Sequence, residues 1–227
     1  MKLSGHIPVS EAASHLKVSP RRLRALIERG ELRAERVGRQ WLVDAADVRR
    51  YQGLRPGAGR PLSPRRAWAL LFLLSGERPA WVESRDRSDL RHHLRSRSPT
   101  HLVASTRRRA YLHPLRAHPG DLRRLRASEL LIPSGASAAG EYGLDLDAPG
   151  VVEAYVSVEG LEALARDFAF ASSEGANVFL RSVGAFWPFH EGARVAPAAA
   201  VAIDLLEAQD ERSRHAGREL FRRLPAP

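Results

Sequence analysis

Cysteine is absent from the 227-residue chain, which excludes a disulfide scaffold, a thiolate metal site and a cysteine nucleophile. No run approaches the roughly 18 apolar residues of a membrane helix. The opening Met1-Lys2-Leu3-Ser4-Gly5-His6 lacks the apolar stretch of a signal peptide, so a cytoplasmic location without a membrane partner is expected. No H-E-x-x-H, G-x-S-x-G, Walker or G-x-G-x-x-G element occurs. Lysine is nearly missing too, with only Lys2 and Lys17. What the chain has in excess is arginine. Lys+Arg is 36 against Asp+Glu 26, a formal charge of +10, and a polyanionic partner is the first implication. At 44% hydrophobic residues the chain can also build a packed core.

The charge is segregated along the chain. Residues Met1 to Arg60 carry 13 basic and 6 acidic side chains, Pro61 to Leu130 carry 15 and 6, and Leu131 to Pro227 carry 8 and 14. A GC-rich genome accounts for arginine over lysine. It does not account for a basic front and an acidic tail.

The opening reads as two short helices and a hairpin. Ser10 is expected to cap a helix over Glu11 to Leu16, and Lys17-Val18 forms a tight connection. Ser19 caps a second helix from Pro20 to Arg29, where proline at the first position loses no hydrogen bond. That helix buries Leu23, Leu26 and Ile27, and Gly30 stops it. Leu32 to Val37 and Gln40 to Val43 flank Gly38-Arg39, a turn dipeptide between alternating segments. Asp44 then caps a third helix, Ala45 to Gln52, with Val48 and Tyr51 inward. Trp41 is expected to pack between hairpin and helices.

The stretch PVSEAASHLKVSPRRLRALIERGELRAERVGRQWLVDAADVRRY resembles the excisionase and MerR-type winged helix-turn-helix, with its G-x-x-W-x-V wing and Asp-started helix. The resemblance implies binding to double-stranded DNA, with the second helix in the major groove and the wing along the flanking backbone. The residue chemistry agrees. Ser19, Arg21, Arg22 and Arg24 stand at the N-terminal end of the recognition helix, where side chains reach base edges. Arginine can bridge guanine O6 and N7 with two hydrogen bonds. Arg33, Arg36, Arg39 and Gln40 are expected to hold the wing on phosphates. The alternative is a charged, solvated face on a protein-binding module.

Gly53 to Pro61 is Gly-, Pro- and Arg-rich without periodicity and reads as a linker. A second domain follows. Ser63-Pro64 opens an apolar helix, Arg65 to Leu74, with Trp68, Leu71 and Phe72 as core. Pro79 to Val82 begins a helical region, and Arg85 to Arg97 shows Leu90 and Leu94 at helical spacing. With Arg107-Arg108-Arg109, the basic segment Arg85 to Arg109 is expected to extend the phosphate contact. Strands are expected at Leu130 to Ile132, Val151 to Val156 and Val178 to Val183, and helices at Ser157 to Phe168, Pro197 to Ala208 and Arg212 to Leu224. The fold class is therefore α+β: a winged helix-turn-helix over 1–52, a linker over 53–63, and a larger, mostly helical α+β domain over 64–227.

Four segments between Leu112 and Leu224, among them LHPLRAHPGDLRRLRASELLIPSGASAA and VAPAAAVAIDLLEAQDERSRHAGRELFRRL, are similar to the AbiEi-type antitoxins of type IV toxin–antitoxin systems. Asp204-Leu205-Leu206, Asp210 and Arg212 carry the family's DLL and D-x-R pattern. The resemblance covers roughly Arg65 to Leu224. It implies a repressor of its own operon whose C-terminal domain counters a nucleotidyltransferase-like toxin. A homodimer on DNA stays open, and so does an excisionase-like, DNA-bending recombination factor. The winged helix looks more excisionase-like than the version common among those antitoxins, which leaves the DNA site open as well.

Catalytic constellations are weak. Ser134-Gly135 with Asp145, Asp147 and Glu153 superficially echoes a nucleotidyltransferase site, but the Ser-Gly order is inverted and Asp147 runs into a turn. His92 and His93 are adjacent and point about 100° apart on a helix. His113 and His118 are expected in a loop. The aromatic cluster Phe186, Trp187 and Phe189 reads as core or a loop anchor. No enzyme activity, cofactor or metal is expected.

Overall fold

The computed structural model describes residues 5–28, 32–38, 40–45, 47, 48, 51, 61–95, 98–171, 175–184 and 186–225. The chain divides into two compact units, Met1–Ala58 and Gly59–Pro227. Gly30, Arg39 and most of the expected linker (53–60) lie outside the described residues. Among the described residues no helix is long and apolar enough to cross a membrane.

The first unit contains β1 (His6–Pro8), α1 (Val9–Leu16), α2 (Pro20–Glu28), β2 (Ala34–Val37) and β3 (Gln40–Asp44). Ala45, Asp47, Val48 and Tyr51 are helical. The strands form an antiparallel sheet in the order β1-β3-β2. Ile7, Ala34 and Val43 fall in one cross-strand row, with Ile7 and Val43 buried against Ala12, Leu23, Leu26, Leu32 and Val48. No sequence signal announces β1, a three-residue edge strand containing Pro8. The expected start of α1 is Glu11, whereas the helix starts at Val9 with Pro8 as its cap residue. Ser10 therefore lies inside the helix, where its carbonyl accepts from Ser14 Oγ.

The second unit contains α3 (Pro64–Leu74), α4 (Ser84–Arg95), α5 (Pro99–Thr106), β4 (Tyr111–Leu115), α6 (Leu122–Arg126), β5 (Ile132–Pro133), β6 (Val152–Ser157), α7 (Val158–Asp167), β7 (Val178–Val183), α8 (Ala198–Leu206) and α9 (Glu211–Arg223). Its sheet runs β4-β7-β6-β5, with β6 and β7 parallel and the outer pairs antiparallel. Leu62, expected in the linker, belongs here: its N–H donates to the Ser105 carbonyl at 3.0 Å.

Strand alternation divides this sheet into two faces. Val152, Ala154, Val156, Val178 and Leu180 face a core shared with Leu125, Leu164 and Phe168. Glu153, Tyr155 and Arg181 occupy the alternate positions; on that side Tyr155 and Arg181 meet Asp204 of α8, and Glu153 lies 3.7 Å from Arg181. His113 and Pro114 lie in β4, not in the loop expected of them. Proline is tolerated there because β4 is an edge strand with one side unpaired.

The aromatic cluster is an anchor. Phe189 stacks edge-on against Trp68 at 4.9 Å, Phe186 meets Trp81 at 4.8 Å, and Trp81 Nε1 donates to the Pro188 carbonyl.

Candidate nucleic-acid interface

The turn between α1 and α2 fixes how α2 is presented. Val18 N–H donates to the Ala13 carbonyl at 3.0 Å and Lys17 N–H to the Ser14 carbonyl at 3.1 Å, the paired bonds of a Schellman motif. Lys17 adopts the left-handed φ of 51° that this motif requires. One residue further on, Ser19 Oγ accepts from Arg22 N–H at 3.2 Å, capping α2 as its sequence signals.

The spacing of α2 then separates its faces. Leu23 and Leu26 are buried, whereas Ser19, Arg21, Arg22 and Arg24 are exposed. Among the described residues, none of these three guanidinium groups enters a hydrogen bond or ion pair. The result is a capped helix N-terminus with three unneutralised cations beside it. Such an end favours anions through its free N–H groups and its dipole.

On the hairpin, Arg36 stands directly opposite Trp41 across the strands and both are exposed, Trp41 at 38%. Trp41, expected to pack, therefore keeps more than a third of its surface open. Along β3 it lies on the same face as Val43, two residues away. Arg39 and the Gln40 side chain lie outside the described residues.

Arg33 corrects the sequence expectation. Its Nε donates to Asp47 Oδ2 at 3.0 Å and its Nη2 to Asp47 Oδ1 at 2.9 Å, with Asp44 also 3.0 Å from Nη2. Asp47 takes the Arg33 backbone N–H as well. A guanidinium committed to two carboxylates, one of them buried, ties β2 to the following helix and adds no free positive charge.

Within the basic run of the second unit, Arg109 departs further. Arg109 is fully buried, donating to Asp204 at 2.5 Å, to Glu207 at 2.7 Å and to Tyr155 Oη at 2.9 Å. Burial alone would lower its pKa, but Glu207, Tyr155 and Asp204 outweigh it and hold the charge firmly. Arg181 reaches the same Asp204 at 3.0 Å, and Ser134 Oγ donates to its second oxygen. The DLL aspartate is therefore the hub of a buried ion cluster. Asp210 is the N-cap of α9, accepting from Ser213 N–H at 2.7 Å, and Arg212 reaches the Asp145 carbonyl.

The nucleotidyltransferase echo dissolves on the same geometry. Asp145 and Asp147 are exposed. Glu153 is buried, and desolvation pushes its pKa up to about 7 against the opposing pull of Arg181. A Cβ on Gly135 would fall 1.5 Å from its Oε2, which leaves no room there for a phosphate.

Reading the adjacent histidines in isolation misses His101. Its Nε2 lies 3.1 Å from His93 Nδ1, and its ring is 6.0 Å from that of His92. Among the described residues, no group of histidines and carboxylates could hold a metal ion.

Comparison with known proteins finds a likeness within the first unit. Residues 9–53 match the family described as Helix-turn-helix domain, a match that suggests DNA binding. No curated protein and no solved structure matches the chain.

Proposed function

We propose that the protein is a sequence-specific DNA-binding repressor. The observation that carries this reading is the outward, unpaired set Arg21, Arg22 and Arg24 on a Ser19-capped helix within a helix-turn-helix match. In this reading α2 enters the major groove and the β2–β3 hairpin serves as a wing. Arg36 lies along the backbone, with Arg39 and Gln40 assigned there from sequence. The protein acts on its own operon in the cytoplasm. The similarity over Arg65 to Leu224 supports a further step, in which the second unit is an antitoxin domain opposing a nucleotidyltransferase-like toxin.

The test is a shift assay on the promoter region of the chain's own operon. Alanine at Arg22 should cost about 1–3 kcal/mol and relax one base preference. The triple alanine variant at Arg21, Arg22 and Arg24 should also flatten the salt dependence, by about 0.9 log–log units for each phosphate no longer neutralised. Unchanged affinity and preference in the triple variant reject the recognition helix. Co-expression with the neighbouring toxin gene tests the antitoxin step.

A further inference from the structure

We propose that the arginine-lined cavity between the end of α3, the segment from Arg78 to Val82 and α4 binds a nucleotide, a ligand with adjacent phosphate groups and one flat aromatic base. This site lies wholly in the second unit and does not rest on DNA binding by the first. The cavity has a volume of about 580 Å³, within the range of small-molecule sites.

Its walls follow from how α4 sorts its charges. Asp86 faces α3 and accepts Arg65 at 3.0 Å, and Asp89 pairs with Arg66. On the cavity side Arg87, Arg91 and Arg95 recur every four residues, stacked on one helix face about 6 Å apart. Arg78 joins them from the preceding segment. Among the described residues, none of these four guanidinium groups makes a hydrogen bond or ion pair. This contrasts with Arg65 and Arg66 one layer away.

Four like charges around one concavity repel each other, and an anion seated between them relieves that repulsion. Guanidinium is also the group that holds phosphate oxygens two at a time. The floor is different in kind. Leu73, Val82 and Leu94 provide an apolar surface, which inorganic phosphate does not use and a purine or pyrimidine ring does. Ser84 and Ser88 add neutral donors at the edge. Glu83 also lines the cavity, and Arg65 at 3.8 Å offsets its charge.

Calorimetric titration of the full chain with ATP, with inorganic tripolyphosphate and with a short single-stranded oligonucleotide tests the assignment. ATP should bind saturably and more tightly than tripolyphosphate. The exposed double variant Arg87→Glu/Arg91→Glu, with an unchanged melting temperature, should weaken ATP by about tenfold or more, a loss of roughly 1.4 kcal/mol. The Arg22→Ala variant should leave ATP binding unchanged, so failure here and failure of the DNA reading show up separately. Absence of saturable ATP binding overturns the proposal, as does equal affinity in the double variant. Equal affinity for tripolyphosphate overturns the role of the apolar floor. Oligonucleotide binding tighter than ATP, and abolished in the same variant, overturns the nucleotide in favour of a strand.

Discussion

The arginines of α2 and those of the β6–β7 sheet face do opposite things with the same side chain. Arg21, Arg22 and Arg24 are exposed and unpaired among the described residues, so their charge acts at a distance and is available to a ligand. Arg109 and Arg181 are buried against Asp204, so their charge is consumed locally. The difference lies in the neighbours. In α2 the positions facing inward are Leu23 and Leu26, and the arginines stand on the opposite arc. In the second unit an acid sits in the apolar helix AAAVAIDLL and draws two arginines to it. Net charge alone cannot distinguish the two uses; what discriminates is whether a carboxylate is within reach.

The largest effect should come from breaking the buried cluster. Asp204→Ala leaves Arg181 with Glu153, at 3.7 Å, as its remaining acid among the described residues and removes one of the partners of Arg109. Removing one partner of a buried pair costs about 3–5 kcal/mol, and chemical denaturation of the full chain should show that loss. Arg22→Ala should move stability by less than about 0.5 kcal/mol, as an exposed residue without partners does, while weakening DNA binding. If Asp204→Ala proves neutral, the two classes of arginine are not distinct.

Arg33 and Arg36 sharpen the comparison within a single hairpin. Arg33→Ala removes both side-chain hydrogen bonds to the buried carboxylate of Asp47 and should cost about 1–3 kcal/mol of stability, lowering DNA affinity only as far as folding is impaired. Arg36→Ala should do the reverse, sparing the melting temperature while reducing the salt slope of binding by about 0.9 if Arg36 meets one phosphate. Ser19→Ala comes next in size. It removes the N-cap and should cost about 1 kcal/mol, measured by thermal unfolding.

Local signals are legible in the sequence and distant ones are not. Ser19-Pro20 and Ser63-Pro64 announce α2 and α3 because such signals act within four residues, although only Ser19 makes the side-chain cap bond and α3 relies on Pro64 at its first position. The same signal stands at Ser98-Pro99 before α5, whose eight residues offer little periodicity, and this helix is not among those expected. β7 is expected and found over the same residues, since Val178 to Val183 is rich in β-branched and aromatic side chains. β4 is hidden by Pro114, because only the edge position makes that proline acceptable. In the interface, the exposed face of α2 follows from helical spacing. The diversion of Arg33 does not, because Asp47 is 14 residues away and a turn intervenes. The Asp204 hub lies 95 residues from Arg109. Its one sequence clue is a carboxylate alone in an apolar helix, a position that demands a buried partner.

The smallest effect concerns the histidines and carries the comparison to a second kind of cation. Burial lowers the His93 pKa below 6.5, helped by His101 and His92. The folded state therefore favours the neutral ring. Above pH 6.5 both folded and unfolded chains carry it neutral, and it contributes no pH dependence. As pH falls through 6.5, the unfolded chain takes up the proton first, so stability declines. His93→Gln keeps a polar side chain and removes the proton. Melting temperatures of the two proteins should converge on acidification, the wild type losing more between neutral pH and pH 5 than the variant does. Parallel curves would mean that the stack on His101 carries no titration. Unlike Arg109, whose acids hold its charge in the interior, the half-buried His93 has His101 and His92 as neighbours, and desolvation and those rings together disfavour its proton.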